Sequence, residues 1–283
     1  MINTIKILCQ DISIELLSHE EFSYLQSLKT INLSIEKLWQ LMDQAWDDYL
    51  IDYEDISSES LSRFYSSPVW LLNGIFTECD KTSQQHRISM AQWIKQKNPE
   101  SVADFGGGYG SLARKIANFC PNTVVKIVEP YPHKVSLTLA NRFSNLEYVS
   151  ELQDLVDIMV AQDVLEHVPD PLHLFAHLLD STKVDGYLLI ANCFYPVIKC
   201  HLQQTFHFRY SFKYIAPLLG CKYIGVIDGS EHTEIYRKND RKPDWNKVKQ
   251  YEKISRLLFP FLDQIKKILH HIRMNNKTEL QEY

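Results

Sequence analysis

The run Ser101-Val102-Ala103-Asp104-Phe105-Gly106-Gly107-Gly108-Tyr109-Gly110-Ser111 constrains this 283-residue chain more than any other feature. Four glycines fall in five positions between a short apolar segment and the start of a helical one. Glycine has no Cβ, so the backbone can turn tightly there and pass close against a ligand. The helix behind such a turn opens on unpaired N–H groups and the positive end of its dipole, which suits an anionic group. The segment reads as a strand, a turn and a helix that together hold a nucleotide-like molecule.

Spacing decides which molecule. The Gly-x-Gly-x-x-Gly pattern of dinucleotide folds fails, because Ser111 occupies the third glycine position. The pattern present is Asp104-x-Gly106-x-Gly108-x-Gly110. A second strand, 124–129, ends on Glu129, 23 residues after Gly106, where such folds place an acid for both ribose hydroxyls. A carboxylate suits that task because its two oxygens accept side by side. A third strand, 145–149, runs into Ser150-Glu151-Leu152. A fourth, 156–162, ends on Gln162 and leads into Asp163-Val164-Leu165-Glu166-His167-Val168-Pro169-Asp170-Pro171.

The glycine pattern resembles the first motif of class I S-adenosylmethionine (SAM)-dependent methyltransferases. Leu165-Glu166-His167-Val168-x-Asp170-Pro171 resembles the stretch after the fourth strand in small-molecule methyltransferases of the ubiquinone-biosynthesis-like group. The resemblance covers roughly residues 84–238 and implies SAM as cofactor. It assigns Asp104, Gly106, Gly108 and Gly110 to the methionine moiety, Glu129 to the ribose, and Glu151 with Leu152 to the adenine. Gln162, at the end of its strand, completes the expected cofactor set.

Strands alternating with helices of about ten residues predict a parallel sheet with helices on both faces. Helices are expected at 86–96, 110–119, 133–143 and 171–180, and a fifth strand at 187–193. Strands 221–227 and 231–238, split by Asp228-Gly229-Ser230, predict a closing hairpin. The fold class is therefore α/β: a Rossmann-like, seven-stranded, mostly parallel sheet with a C-terminal antiparallel hairpin. Residues 1–83 read as a helical N-terminal cap, strongest at Leu33–Leu50, and 84–238 as the methyltransferase domain. In the cap, the aromatic and polar run Arg63–Trp70 with Asn73 suits either a pocket wall or the cap core. Residues 239–283 read as a basic amphipathic tail, with a helix at 254–273 bearing Leu258, Phe261, Leu262, Ile265, Ile268, Leu269 and Ile272 on one stripe.

For catalysis, histidine is favoured as a general base near neutral pH. His207, in Phe206-His207-Phe208-Arg209, ranks first and His201 second; Asp163, at the carboxyl edge of the sheet, is expected to orient the acceptor. His167 is expected to shape the pocket, and Asn192 and Tyr195 to lie on the same rim. His173 and His177 stand four apart on a helix without a third ligand, so no metal is expected.

The expected reaction is metal-independent methyl transfer to an oxygen, carbon or nitrogen of a small molecule or carrier-bound metabolite. Two other readings stay open: a SAM-binding regulatory or partner protein, and a Rossmann NAD(P)-binding oxidoreductase. The net charge of −5 argues against a nucleic-acid partner. It hides an asymmetry, −8 over residues 1–70 and +6 over 237–283, that allows the two ends to attract within a chain or in a homodimer. There is no run long enough to span a bilayer, which leaves only peripheral membrane contact through 254–273. The six cysteines lack paired spacing and are expected to be reduced thiols in a cytoplasmic protein.

Overall fold

The computed structural model describes residues 3–49 and 58–279. The chain opens with a hairpin, β1 (Thr4–Ile7) and β2 (Gln10–Ser13), followed by α1 (His19–Leu28), α2 (Ile35–Asp48), α3 (Ser58–Tyr65) and α4 (Pro68–Cys79). The alternation continues with α5 (Lys81–Lys97), β3 (Ser101–Phe105), α6 (Ser111–Phe119), β4 (Val124–Val128), α7 (Lys134–Ala140) and β5 (Leu146–Val149). It ends with β6 (Val156–Gln162), α8 (Pro171–Asp180), β7 (Thr182–Ala191), α9 (Phe208–Ile215), β8 (Cys221–Ile227), β9 (Ser230–Lys238) and α10 (Trp245–Glu279).

The main sheet has the order β5-β4-β3-β6-β7-β9-β8. Strands β3 to β7 pair in parallel, and β9 runs antiparallel to both β7 and β8. This is the expected fold class. The order reverses beside β3: the chain winds outward to β5, then returns to place β6 on the other side. Ligands of doubly wound sheets bind at the carboxyl ends of the strands flanking such a reversal. One apolar layer (Ile94, Leu112, Ile116, Ile127, Val160) covers one face, and a second (Met159, Phe175, Leu188, Phe212, Tyr236) covers the other.

Residues before the sheet differ from the expected all-helical cap, because they begin with a hairpin. Its turn has no Asn or Gly to announce it; Leu8 itself adopts a left-handed conformation, φ 51°. The expected boundary at 83/84 falls inside α5, whose N-cap is Asp80, accepting the Ser83 N–H. Leu38, Met42 and Trp46 form the buried face of α2, and Leu50 of the expected cap helix lies outside the described residues. Phe64 stacks edge-on with Trp46 and Trp70, so the Arg63–Trp70 run largely builds the cap core. The cap also joins to the sheet domain: Glu21 accepts from His133 Nε2 at 2.6 Å, and Lys199 Nζ reaches Asp47 at 2.6 Å.

Two expectations need correction. The cysteines are not all reduced: Cys9 in the first hairpin and Cys79 at the end of α4 form a disulfide. Their separation of 70 residues leaves no local spacing signal. The tail helix is longer than expected, and among the described residues its apolar stripe is left exposed. Val248 and Ser255 are buried, whereas Leu258, Phe261, Leu262, Ile265 and Ile268 are exposed. The side chains of Leu269, His270, His271 and Ile272 lie outside the described residues. Asp263 fixes the helix by accepting from Arg209 at 3.0 Å and Tyr210 at 3.1 Å. Among the described residues no helix is long and apolar enough to cross a membrane.

Helix α4 lies directly on the glycine turn. A Cβ on Gly74 would stand 2.4 Å from the Tyr109 ring, so only glycine permits this approach. Gly74→Ala is expected to destabilise the protein by about 1–3 kcal/mol through overpacking, exceeding the helix-propensity gain of about 1 kcal/mol. Urea unfolding checks this: an unchanged or raised midpoint would contradict the packing.

Candidate active site

Three strand ends converge on the backbone of Gly108. The turn after β3 carries Gly106, Gly108 and Gly110 at φ 67°, 49° and 74°, a region where side chains are strained. Glu129, just past β4, accepts the Gly108 N–H on Oε2 at 3.1 Å and the Tyr131 N–H on Oε1 at 3.1 Å. Tyr148, on β5, donates its hydroxyl to the Gly108 carbonyl at 2.9 Å. Gly110 caps α6, so the unpaired N–H groups of that helix open beside the turn.

Asp104 lies beneath this turn, 3% exposed. Burial raises its pKa from 3.8 to about 7, against the opposing pull of the Arg87 guanidinium. Arg87 comes from α5, upstream of the motifs, and sequence reasoning missed it. Its Nη1 donates to the Ser83 carbonyl, its buried Nε has no partner among the described residues, and Asp163 and Asp104 act on its charge. Nothing local marks it out, since α5 reads as an ordinary polar helix.

The remaining expected cofactor residues are spread more widely. Glu151 is exposed after β5, with Gln153 donating to it at 3.0 Å. Leu152 packs against the core layer beneath the sheet. Gln162 ends β6 and donates to Asp163 at 3.3 Å. Asp163 is exposed at the carboxyl rim in a left-handed conformation, φ 53°, its N–H bonded to the Ala191 carbonyl at 2.7 Å.

The two ranked histidines separate. His207 turns away into the seam with α10: it is 4% exposed, and its Nδ1 meets Ser255 Oγ at 2.8 Å. Burial, with the nearby Arg256 charge, lowers its pKa to about 3. Its ring is thus held at that seam by Ser255. His201 sits on the cap side, its Nδ1 bonded to the Tyr195 carbonyl at 2.7 Å and its ring 4.9 Å from that of His167. Burial lowers its pKa as well. His167 bonds the Cys200 carbonyl through Nδ1 at 3.0 Å, under the edges of Tyr65 and Trp70. Glu166 completes this group, fully buried, one oxygen accepting the Cys193 N–H at 2.7 Å. His173 instead stacks on Trp245 and bonds Asp170 at the surface.

A cavity of about 160 Å³ opens beyond β7, lined in part by Asn192, Tyr195, Arg209, Lys213, His232 and Glu234. Asn192 and Tyr195 thus share the rim expected of them. The Asn192 Oδ1 is buried there without a partner among the described residues.

The Asp104 environment has a measurable sign. Its carboxyl holds a proton more tightly folded than unfolded, so stability falls as pH rises from about 4 to about 7 and levels off above. Asp104→Asn is expected to remove that slope in the ligand-free protein. Urea unfolding at about pH 5 and about pH 8 measures it; an unaltered slope in the variant would refute the assignment.

Comparison with known proteins places this geometry. A family model described as "Methyltransferase domain" matches residues 81–214. Among solved structures, the chain is similar to human N-acetylserotonin methyltransferase in complex with SAM, with 14% identity and TM-score 0.50, over 78% of this chain and 71% of that one. It is also similar to the plantazolicin methyltransferase in complex with a pentazolic analogue and SAH, with 15% identity and TM-score 0.44, over 72% and 98% of the two chains. Comparison with curated proteins gives no match. Residues 81–214 thus match a methyltransferase-domain model, and the chain shares the fold of the SAM-bound human structure.

Proposed function

We propose that this protein transfers a methyl group from SAM to a small-molecule or peptide acceptor. The observation that carries the reading is the convergence on Gly108: a left-handed glycine turn held from two neighbouring strands by Glu129 and Tyr148. The residues present suit SAM. Side chains at Gly106 or Gly110 would collide with Val164 and Tyr148, so the turn stays bare and a ligand can approach its backbone closely. Glu129 keeps further lone pairs for the ribose hydroxyls. Asp104 supplies a carboxyl for the ammonium, and the unpartnered Arg87 Nε supplies a donor for the carboxylate of the methionine moiety.

When bound, SAM supplies a methyl group made electrophilic by its sulfonium. The chain's own contribution is then to bind, orient and exclude water, worth on the order of 7–11 kcal/mol where alignment is good. The acceptor lies on the β6–β7 side of the rim. There Asp163, Asn192 and Tyr195 present polar atoms, and the cavity with Arg209, Lys213, His232 and Glu234 takes a polar ligand. The human methyltransferase whose fold the chain shares is named for N-acetylserotonin, a small molecule, in keeping with this reading.

Titration calorimetry of the purified protein with SAM, S-adenosylhomocysteine and NAD tests the reading. Micromolar binding of both sulfur ligands and none of NAD is expected. Losing the charge of Glu129 or Asp104 by substitution with Ala should weaken binding by roughly 10–100-fold, the usual scale for a lost charged hydrogen bond. Preference for NAD, or no binding of either sulfur ligand, would overturn it.

A further inference from the structure

We propose that Glu166, His167 and His201 form a binding site for one divalent first-row transition-metal ion. One ligand atom from each of the three residues lies within 4.8 Å of the other two. Each imidazole bonds a backbone carbonyl through Nδ1, His167 that of Cys200 and His201 that of Tyr195. A carbonyl only accepts, so each Nδ1 carries the proton and each Nε2 presents a lone pair. Metal-binding histidines are oriented in this way, with the second ring nitrogen donating to a carbonyl or carboxylate.

The carboxylate supplies an independent observation. Glu166 is 0% exposed; Oε1 accepts the Cys193 N–H, while Oε2 is buried with no partner among the described residues. No Lys or Arg pairs with it among the described residues. A buried acid without a cation is costly, and a bound dication removes that cost. Two imidazoles and one carboxylate are the donor set of Zn²⁺ and related ions; Mg²⁺ and Ca²⁺ prefer oxygen donors throughout. Binding contracts the cluster to ligand distances of about 2.0–2.2 Å from the ion.

The site lies between the sheet rim and the cap. Glu166 and His167 follow β6, His201 comes from the segment after β7, and Tyr65 and Trp70 of the cap stack over His167. An ion with three protein ligands keeps a position for water or for an oxygen of a bound acceptor. The site stands on its own geometry and does not rest on the methyl-transfer reading.

The experiment is to strip the full-length protein with a chelator, then titrate Zn²⁺ with Mg²⁺ as control, and to record the absorption spectrum of the Co²⁺-loaded protein. One equivalent of Zn²⁺ and a cobalt spectrum of nitrogen and oxygen ligation are expected, without the intense thiolate charge-transfer band that Cys193 or Cys200 would give. His201→Ala and Glu166→Gln should each weaken Zn²⁺ binding by more than about 10-fold, at least the scale of losing an outer-sphere partner. Circular dichroism checks that each variant folds, and Glu166→Gln keeps an acceptor for the Cys193 N–H. If neither variant folds, the wild-type cobalt spectrum and stoichiometry decide. Substoichiometric binding, a thiolate spectrum, preference for Mg²⁺ or unchanged affinity in folded variants would overturn the proposal.

Discussion

The hydrogen bond from the Gly108 N–H to Glu129 is the contact around which the rest of the rim is arranged. A glycine turn by itself has many conformations open to it, and glycine loses more backbone freedom on ordering than any other residue. Here the turn is fixed from several sides. Glu129 and Tyr148 hold it from the neighbouring strands, α6 starts from its end, and Tyr109 is pinned beneath Gly74 of the cap. The ion pair between Arg114 and Glu78 ties α6 to α4 on the same side. The order needed to meet a ligand is thus established by packing before any ligand arrives, which lowers the cost of binding.

Polarity is distributed unevenly around that turn. Around Gly108 the charged groups come in opposed types, buried Asp104 and half-buried Glu129 with half-buried Arg87. Between the rim and the cap the polar groups are the rings of His167 and His201 and the acid Glu166, with the cap aromatics Tyr65 and Trp70 edge-on to His167. His207 belongs to neither group. Its ring serves the seam with α10, where Ser255 bonds both it and Ser211, and so joins the tail to the sheet domain.

Local patterns in the sequence locate what local forces decide. Strands 101–105, 156–162 and 221–227 fall where apolar runs and turn residues place them. Strand β7 begins five residues earlier than expected, because Thr182–Gly186 is too polar to read as strand and reaches its register through a shift near Val156. Glu129 was legible because the spacing of βαβ units is nearly fixed. Arg87, the Cys9–Cys79 bridge and the joining of Glu166–His167 to His201 were not. Each depends on segments brought together by the fold, and no periodicity records such a meeting. The Leu-Glu-His-Val stretch is visible as a resemblance, but nothing local in it marks its acid as buried without a partner. The tail's apolar stripe was legible too, but not that it would remain exposed.

The Cys9–Cys79 bond makes the cap a closed covalent ring. A ring of this size removes chain entropy from the unfolded state worth about 4 kcal/mol in the usual loop-closure treatment. The topology matters more than that figure. Both ends of the ring meet at the end of α4, one residue past Glu78, so the helix resting on the glycine turn is also where the ring closes. A single backbone cut between residues 10 and 78 would therefore release no fragment, and the severed cap would stay tethered where it lies against the rim.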